Sequence, residues 1–185
     1  SRAVTAPDAR LVAGLRARDA KAMTDAYALY GDRVYSFALR LTGRRDVADE
    51  IFQHAWLKLA ESAPKLRSDT KLLPWLLTVA RNHFRSQHRR VTIRKRHEGV
   101  LAETARVPEQ PDASAERRAR LERLEQALQE LPEHHREVLV LMVEADDVPQ
   151  QELARVLGSS HAAFRKRLSR ARSALAGLLD SQETP

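Results

Sequence analysis

Two stretches of the chain carry cations at helical spacing with no acid among them, and both could grip a polyanion. In the first, Arg165, Lys166, Arg167, Arg170 and Arg172 are basic, and no Asp or Glu occurs between Glu152 and Asp180. Solvated helix faces usually mix the two signs, so one sign alone points to phosphates. Ser160 can cap this helix, whose amino end favours a phosphate. A helix laid in a major groove reads base edges with its early residues and neutralises phosphates with its cations. The second stretch runs from Arg81 to His97 and holds Arg81, Arg85, Arg89, Arg90, Arg94, Lys95 and Arg96. Arg81, Arg85 and Arg89 are four apart and share one face over three turns. Alone, such a basic helix could touch any polyanion, a membrane surface included.

Other chemistry finds no foothold. His83 and His88 diverge around a helix, His134 and His135 diverge likewise, and no metal-ligand set emerges. There is no Gly-rich phosphate loop, nucleophile elbow or carboxylate pair with a partner base, so no catalytic residue, metal or cofactor is expected. The chain reads as a non-enzyme.

The elements that position these cations are helices. Of 185 residues, 43% are hydrophobic, 31% charged and 5% aromatic, with six glycines and eight prolines. Ala9 to Arg18 is amphipathic through Leu11, Val12 and Leu15. Asp19 caps a second helix carrying Met23, Tyr27, Tyr30, Val34, Phe37, Ala38 and Leu41 at steps of three and four. Gly43 ends it. Asp46 opens a third, with Val47, Ala48, Ile51, Ala55 and Leu59, that Pro64 stops. Residues 64–72 lack periodicity and read as a loop. A further helix over 73–96 has Pro74 in its first turn. Residues 98–115 mix prolines, a glycine and polar groups and read as a flexible linker.

Beyond the linker, Leu121, Leu124, Leu128 and Leu131 mark a stripe, and Val138 to Met142 lie in the next helix. Pro149 fits the first turn of a short helix to Leu157, with Asp147 or Val148 as its cap. Gly158 turns the chain into the last helix, about 160–179. Ala154 permits a close crossing, and Phe164 and Leu168 can pack back, which is helix-turn-helix logic. The expected fold is all-α: two small helical domains, 8–97 and 116–181, joined by 98–115, the second a helix-turn-helix domain.

A net charge of +7 fits a nucleic-acid partner. No run reaches the ~18–20 apolar residues of a spanning helix. The absence of cysteine excludes disulfides and suits a reducing cytoplasm. The first residues show no signal-peptide core. Asp49, Glu50, Gln53 and Trp56, taken alone, read as a solvated face with Trp56 buried.

Together the segments "DVADEIFQHAWLKLAES", "PWLLTVARNHFRSQHRR", "LPEHHREVLVLMV" and "QELARVLGSSHAAFRKRLSRAR" resemble, in order and spacing, the bacterial sigma-70 family, specifically its extracytoplasmic function (ECF) group. The resemblance covers about Leu11 to Leu179. It implies binding to core RNA polymerase, at its clamp and flap regions, and to promoter DNA, both as duplex and as melted strand. Asp49, Glu50 and Gln53 would meet the clamp. The loop Arg67, Ser68, Asp69, Thr70 and Lys71 would hold a base flipped from the −10 element. Trp75, Arg81 and Asn82 would line the melting site, with Arg85 and Arg89 following the strand. Ser160, His161, Arg165, Lys166 and Arg167 would meet the −35 element, and Arg170 and Arg172 mainly its phosphates. The linker would thread the polymerase channel near the RNA exit path. The family often uses an anti-sigma partner.

Two departures stand out. His54 replaces a common acid, which is expected to weaken or retune the clamp contact. His161-Ala162-Ala163-Phe164 replaces the usual Val-Gly-Thr-Val, so the −35 sequence is not inherited. The rival readings are a stand-alone helix-turn-helix regulator, which predicts a palindromic footprint without polymerase, and a decoy that binds polymerase without promoting transcription.

Overall fold

The computed structural model describes residues 6–95 and 115–183, and side chains over 8–87 and 117–181. Among the described residues all regular structure is helical. The order is α1 (Ala6–Arg16), α2 (Ala20–Thr42), α3 (Arg45–Ser62), a 3-10 turn (Ala63–Lys65), α4 (Leu72–Lys95), α5 (Ala115–Glu130), α6 (Glu133–Glu144), α7 (Gln150–Val156) and α8 (His161–Glu183). Residues 98–114 of the expected linker lie outside the described residues, and Ala115 already begins α5. No helix among the described residues is long and apolar enough to cross a membrane. Two compact units result. One runs to Ala38 and resumes at Ala48 through α4; the other combines Leu39–Val47 with α5 to α8.

In the first unit, each helix buries one stripe. Ala48, Ile51, Ala55 and Leu59 recur at steps of three and four along α3 and are fully buried. Leu72, Leu73, Leu76, Leu77, Ala80 and Phe84 do the same on α4. Asp19 caps α2: its Oδ1 accepts from the Lys21 N–H at 2.9 Å, and its carbonyl from the Ala22 N–H at 3.1 Å. Helix α1 crosses α2 closely at Gly14, where a Cβ would stand 2.6 Å from Ala22 Cβ. The Tyr30 hydroxyl of α2 donates to Asp8 Oδ1 of α1 at 2.6 Å, and both groups are buried. Asp8 also sits in the first turn of α1, where the helix dipole favours an anion.

The 3-10 turn lies where a loop was expected; Pro64, which ends the α-helical ladder, tolerates this tighter turn. Tyr27, expected on the core stripe of α2, is 51% exposed. Its ring lies over the rim, 5.7 Å from Phe52 and 4.9 Å from Trp56. Trp56 is thereby half-buried.

In the second unit, α8 packs on α5, α6 and α7. Phe164, Leu168 and Ala171 form its buried stripe. Gly158 turns the chain with a φ of 61°, in the left-handed region that glycine enters without a Cβ clash. The Ser159 N–H donates to the Ala154 carbonyl at 2.9 Å, closing the α7 end. Pro149, expected inside the first turn of α7, stands at its N-cap with extended ψ (138°). Its carbonyl accepts the Glu152 and Leu153 N–H groups, so the helix begins one residue later than expected. The leucine stripe of α5 is buried only at Leu128 and Leu131, while Leu121 is exposed. The carbonyls of Arg40 and Leu41, in the last turn of α2, accept from Gln129 Nε2 (2.8 Å) and Arg136 Nη1 (3.1 Å). Side chains thus satisfy groups a helix end leaves open, and buried Glu144 pairs with Arg40.

Tyr30→Phe should cost about 1–3 kcal/mol, because it leaves a buried carboxylate short of a donor. Phe164→Ala should cost about 3–5 kcal/mol through the cavity it opens under α8. Urea unfolding followed by circular dichroism measures both. Losses below 0.5 kcal/mol would contradict this account of the packing.

Candidate functional site

Helix α8 divides its circumference between core and solvent. On the arc that Phe164, Leu168 and Ala171 leave to solvent lie His161, Arg165, Lys166, Arg170 and Arg172, all exposed, with Arg167 half-buried at the edge. His161, Arg165 and Arg172 are four and seven residues apart and form one line flanking the buried stripe; Lys166 and Arg170 form a second on the far side of the helix. Exposed Ser160 stands at the amino end, where its Oγ accepts the Ala163 N–H at 3.2 Å. The structure therefore gathers every residue expected of this face. It adds His135 of α6, which the sequence left as an ordinary exposed histidine. Burial first, then His134, Arg167 and Arg170, hold its imidazole below the ordinary value, so it favours the uncharged form beside the cations. Only the fold could bring residue 135 to residues 167 and 170.

In the first unit, a cavity of about 520 Å³ opens between the end of α3, the 3-10 turn and the start of α4. It brings together Arg67 and Thr70 of the expected base loop with Trp75 of the expected melting site, and adds Lys58, Glu61 and Lys65, which sequence reasoning did not single out. The loop shapes itself: Arg67 Nε and Nη2 donate to Asp69 Oδ1 (2.9 Å) and Oδ2 (3.0 Å), and the Thr70 N–H donates to the Arg67 carbonyl at 3.0 Å. The arginine fork holds the Asp69 carboxyl below its usual range. Ser68, Asp69 and Lys71 belong to this loop without lining the cavity.

The arginine stripe of α4 does not form as expected. Arg81 is 5% exposed, drawn in beside Ala80 and Phe84, whereas Asn82 and Arg85 are exposed. Position 81 falls on the arc that α4 buries, and packing decides its fate over charge. Arg89 lies in the helix, and its side chain is outside the described ones.

On α3, Asp49, Glu50 and Gln53 are exposed. Leu57, one turn beyond Gln53, is 66% exposed and extends the same line with an apolar group. Beside them His54 stacks on His83 of α4, with ring centroids 3.9 Å apart and 19° between planes. Burial, then the nearby His83 and Lys58, push the His54 imidazole below its ordinary value. No group of three or more His, Cys, Asp or Glu among the described residues could hold a metal.

Comparison with known proteins finds two family matches along the chain. Residues 26–93 match the family described as Sigma-70 region 2, and residues 121–175 match Sigma-70 region 4. The ECF RNA polymerase sigma factor EcfG of Rhodopseudomonas palustris (strain TIE-1) is 32% identical over 148 residues, covering 78% of this chain and 77% of that protein. The RNA polymerase sigma factor CarQ of Myxococcus xanthus is 28% identical over 165 residues, covering 88% and 91%. Among solved structures, the sigma factor RpoE of Bartonella quintana, in complex with the anti-sigma factor NepR, superposes with a TM-score of 0.72 at 25% identity, covering 85% of this chain and 96% of that one. CnrH, in complex with the cytosolic domain of CnrY, gives 0.71 at 23% identity, over 95% and 98%. With both sigma-70 regions matched in order and a relative at this identity and coverage, the chain belongs to the ECF group of the sigma-70 family of RNA polymerase sigma factors.

Proposed function

We propose that this sigma factor divides its work among three surfaces, on one domain over 8–97, another over 116–181, and a linker over 98–115 between them. Asp49, Glu50 and Gln53 dock on core RNA polymerase. Loop 67–71 and Trp75, around the cavity of the first unit, capture a base from the melted −10 strand, with Asn82, Arg85 and Arg89 following that strand. Flipping a base costs a few kcal/mol, which a pocket with an aromatic wall and polar rim can offset. Lys58 and Lys65, also at the cavity, supply cations for the flanking phosphates. Arg81 enters as a buried support of this helix and makes no direct DNA contact.

Ser160, His161, Arg165, Lys166 and Arg167 meet the −35 duplex, with Arg170 and Arg172 on its phosphates. The one-signed exposed arc of α8 over residues 161–172, left free by a buried stripe, is the observation that carries this reading. Neither DNA contact must be tight alone, because polymerase holds both at fixed spacing and makes the second contact effectively intramolecular. The polymerase supplies all the chemistry, so no catalytic residue is assigned here, and the site of action is the cytoplasm. An anti-sigma partner belongs to the same reading; the RpoE structure of Bartonella quintana, solved with NepR, supports it.

The test is pull-down of core RNA polymerase by the full chain, then run-off transcription with sequencing of the transcript starts. Retention of core enzyme and one shared promoter pattern are expected. Tight duplex binding with no core binding would overturn the proposal in favour of a stand-alone regulator. The double variant Arg165→Ala, Lys166→Ala should retain core binding and lose about 1–3 kcal/mol of −35 discrimination. Arg170→Ala should weaken all duplexes about equally and reduce the salt slope of binding by about one. Mobility shifts over a salt series separate the two effects.

A further inference from the structure

Across the α3–α4 seam, three side chains are tied to one another. Gln87 Nε2 donates to the Glu50 carboxylate, and the same nitrogen lies 3.0 Å from His83 Nε2. His83 Nε2 is also 3.5 Å from Glu50 Oε1. A carboxylate only accepts, so the group facing it must be the amide N–H of Gln87. The second N–H of that amide then points to His83 Nε2, which can accept only while it carries no proton. His54 stacks on the His83 ring, with centroids 3.9 Å apart and 19° between planes.

We propose that His83 and Gln87, on the helix otherwise given to the DNA strand, are positioning residues for polymerase binding that hold the Glu50 carboxylate ready on the α3 surface. This rests on the reading of Asp49, Glu50 and Gln53 as the polymerase face. Glu50 is largely exposed, and a free glutamate would lose rotamer freedom on docking. The Gln87 bridge fixes it beforehand and leaves its charge for a cationic partner group.

A proton on His83 Nε2 undoes this. The acceptor becomes a donor, Gln87 loses its partner, and the imidazolium turns to Glu50 and compensates its charge. The charged and titratable groups that act on His54 are His83 of α4 and Lys58, Glu61 and Glu50 of its own helix α3; Glu50 and the amide of Gln87 are in reach of His83 Nε2. Burial first, then His83 and Lys58, hold the His54 imidazole toward its uncharged form beside this arrangement. Polymerase affinity should be full while His83 Nε2 carries no proton and fall once it gains one, because the Gln87 bridge then loses its acceptor.

The experiment measures binding of the full chain to bacterial core RNA polymerase by fluorescence anisotropy from about pH 8 to pH 5.5. Gln87→Ala should weaken binding about fivefold at the alkaline end, equivalent to about 1 kcal/mol. His83→Gln cannot be protonated and should flatten the part of the pH profile specific to the wild type. That difference profile cancels titration of the polymerase itself, and a merely structural role for His83 would leave it unchanged. Glu50→Gln locates the level of any failure. Weakened binding by Glu50→Gln, with Gln87→Ala and His83→Gln indistinguishable from wild type at every pH, would overturn the positioning role alone. Undiminished binding by Glu50→Gln would overturn the polymerase face and the positioning role together.

Discussion

Every helix has one circumference to share, and in these all-helical units that limit governs where function can sit. The arc pressed into the core is closed to partners, and what remains must hold all recognition. On α3, Ala48, Ile51, Ala55 and Leu59 take one arc, and Asp49, Glu50, Gln53 and Leu57 occupy the other. On α8, Phe164, Leu168 and Ala171 leave a continuous arc for cations. Small residues sharpen the arrangement. Ala48, Ala55 and Ala80 are fully buried, and Gly14 lets α1 approach Ala22. Close crossings with small side chains let short helices fix one another with little apolar volume.

The same limit explains which residues the sequence disclosed. Periodicity exposed the buried arcs of α3, α4 and α8, because steps of three and four are a local property of the chain. Gly43 and Gly158 were legible as helix ends for a similar reason: each has a φ in the left-handed region that glycine favours. Asp19 and Ser160 announced their caps by type and position. The family resemblance, built on four ordered segments, gave the order of the units.

Long-range geometry stayed hidden. Arg81 looked like part of an exposed cationic stripe, since charge says nothing of which arc the neighbouring helices will cover. Tyr27 fitted the apolar spacing of α2 and yet came to lie at the rim, over Phe52 and Trp56. His54 and His83 are far apart in sequence, and neither carries a local sign of the other. The cavity beside Trp75 joins Lys58 to Thr70 across a helix end and a 3-10 turn, which no spacing rule foresees. What the sequence could not convey in each case is the relative rotation of two helices about their axes.

The Arg67–Asp69 fork has a consequence for how such proteins diversify. Its bonds, and that from Thr70 to the Arg67 carbonyl, begin and end inside the loop. The loop's shape thus rests in part on its own side chains, while its end is tied to α4 where the Lys71 carbonyl accepts the Trp75 N–H at 3.1 Å. Substitutions there can accumulate without disturbing the folding core, much as a key can be recut without altering its bow. A scaffold of this kind can vary the tip of one loop while the helices that carry it keep their packing.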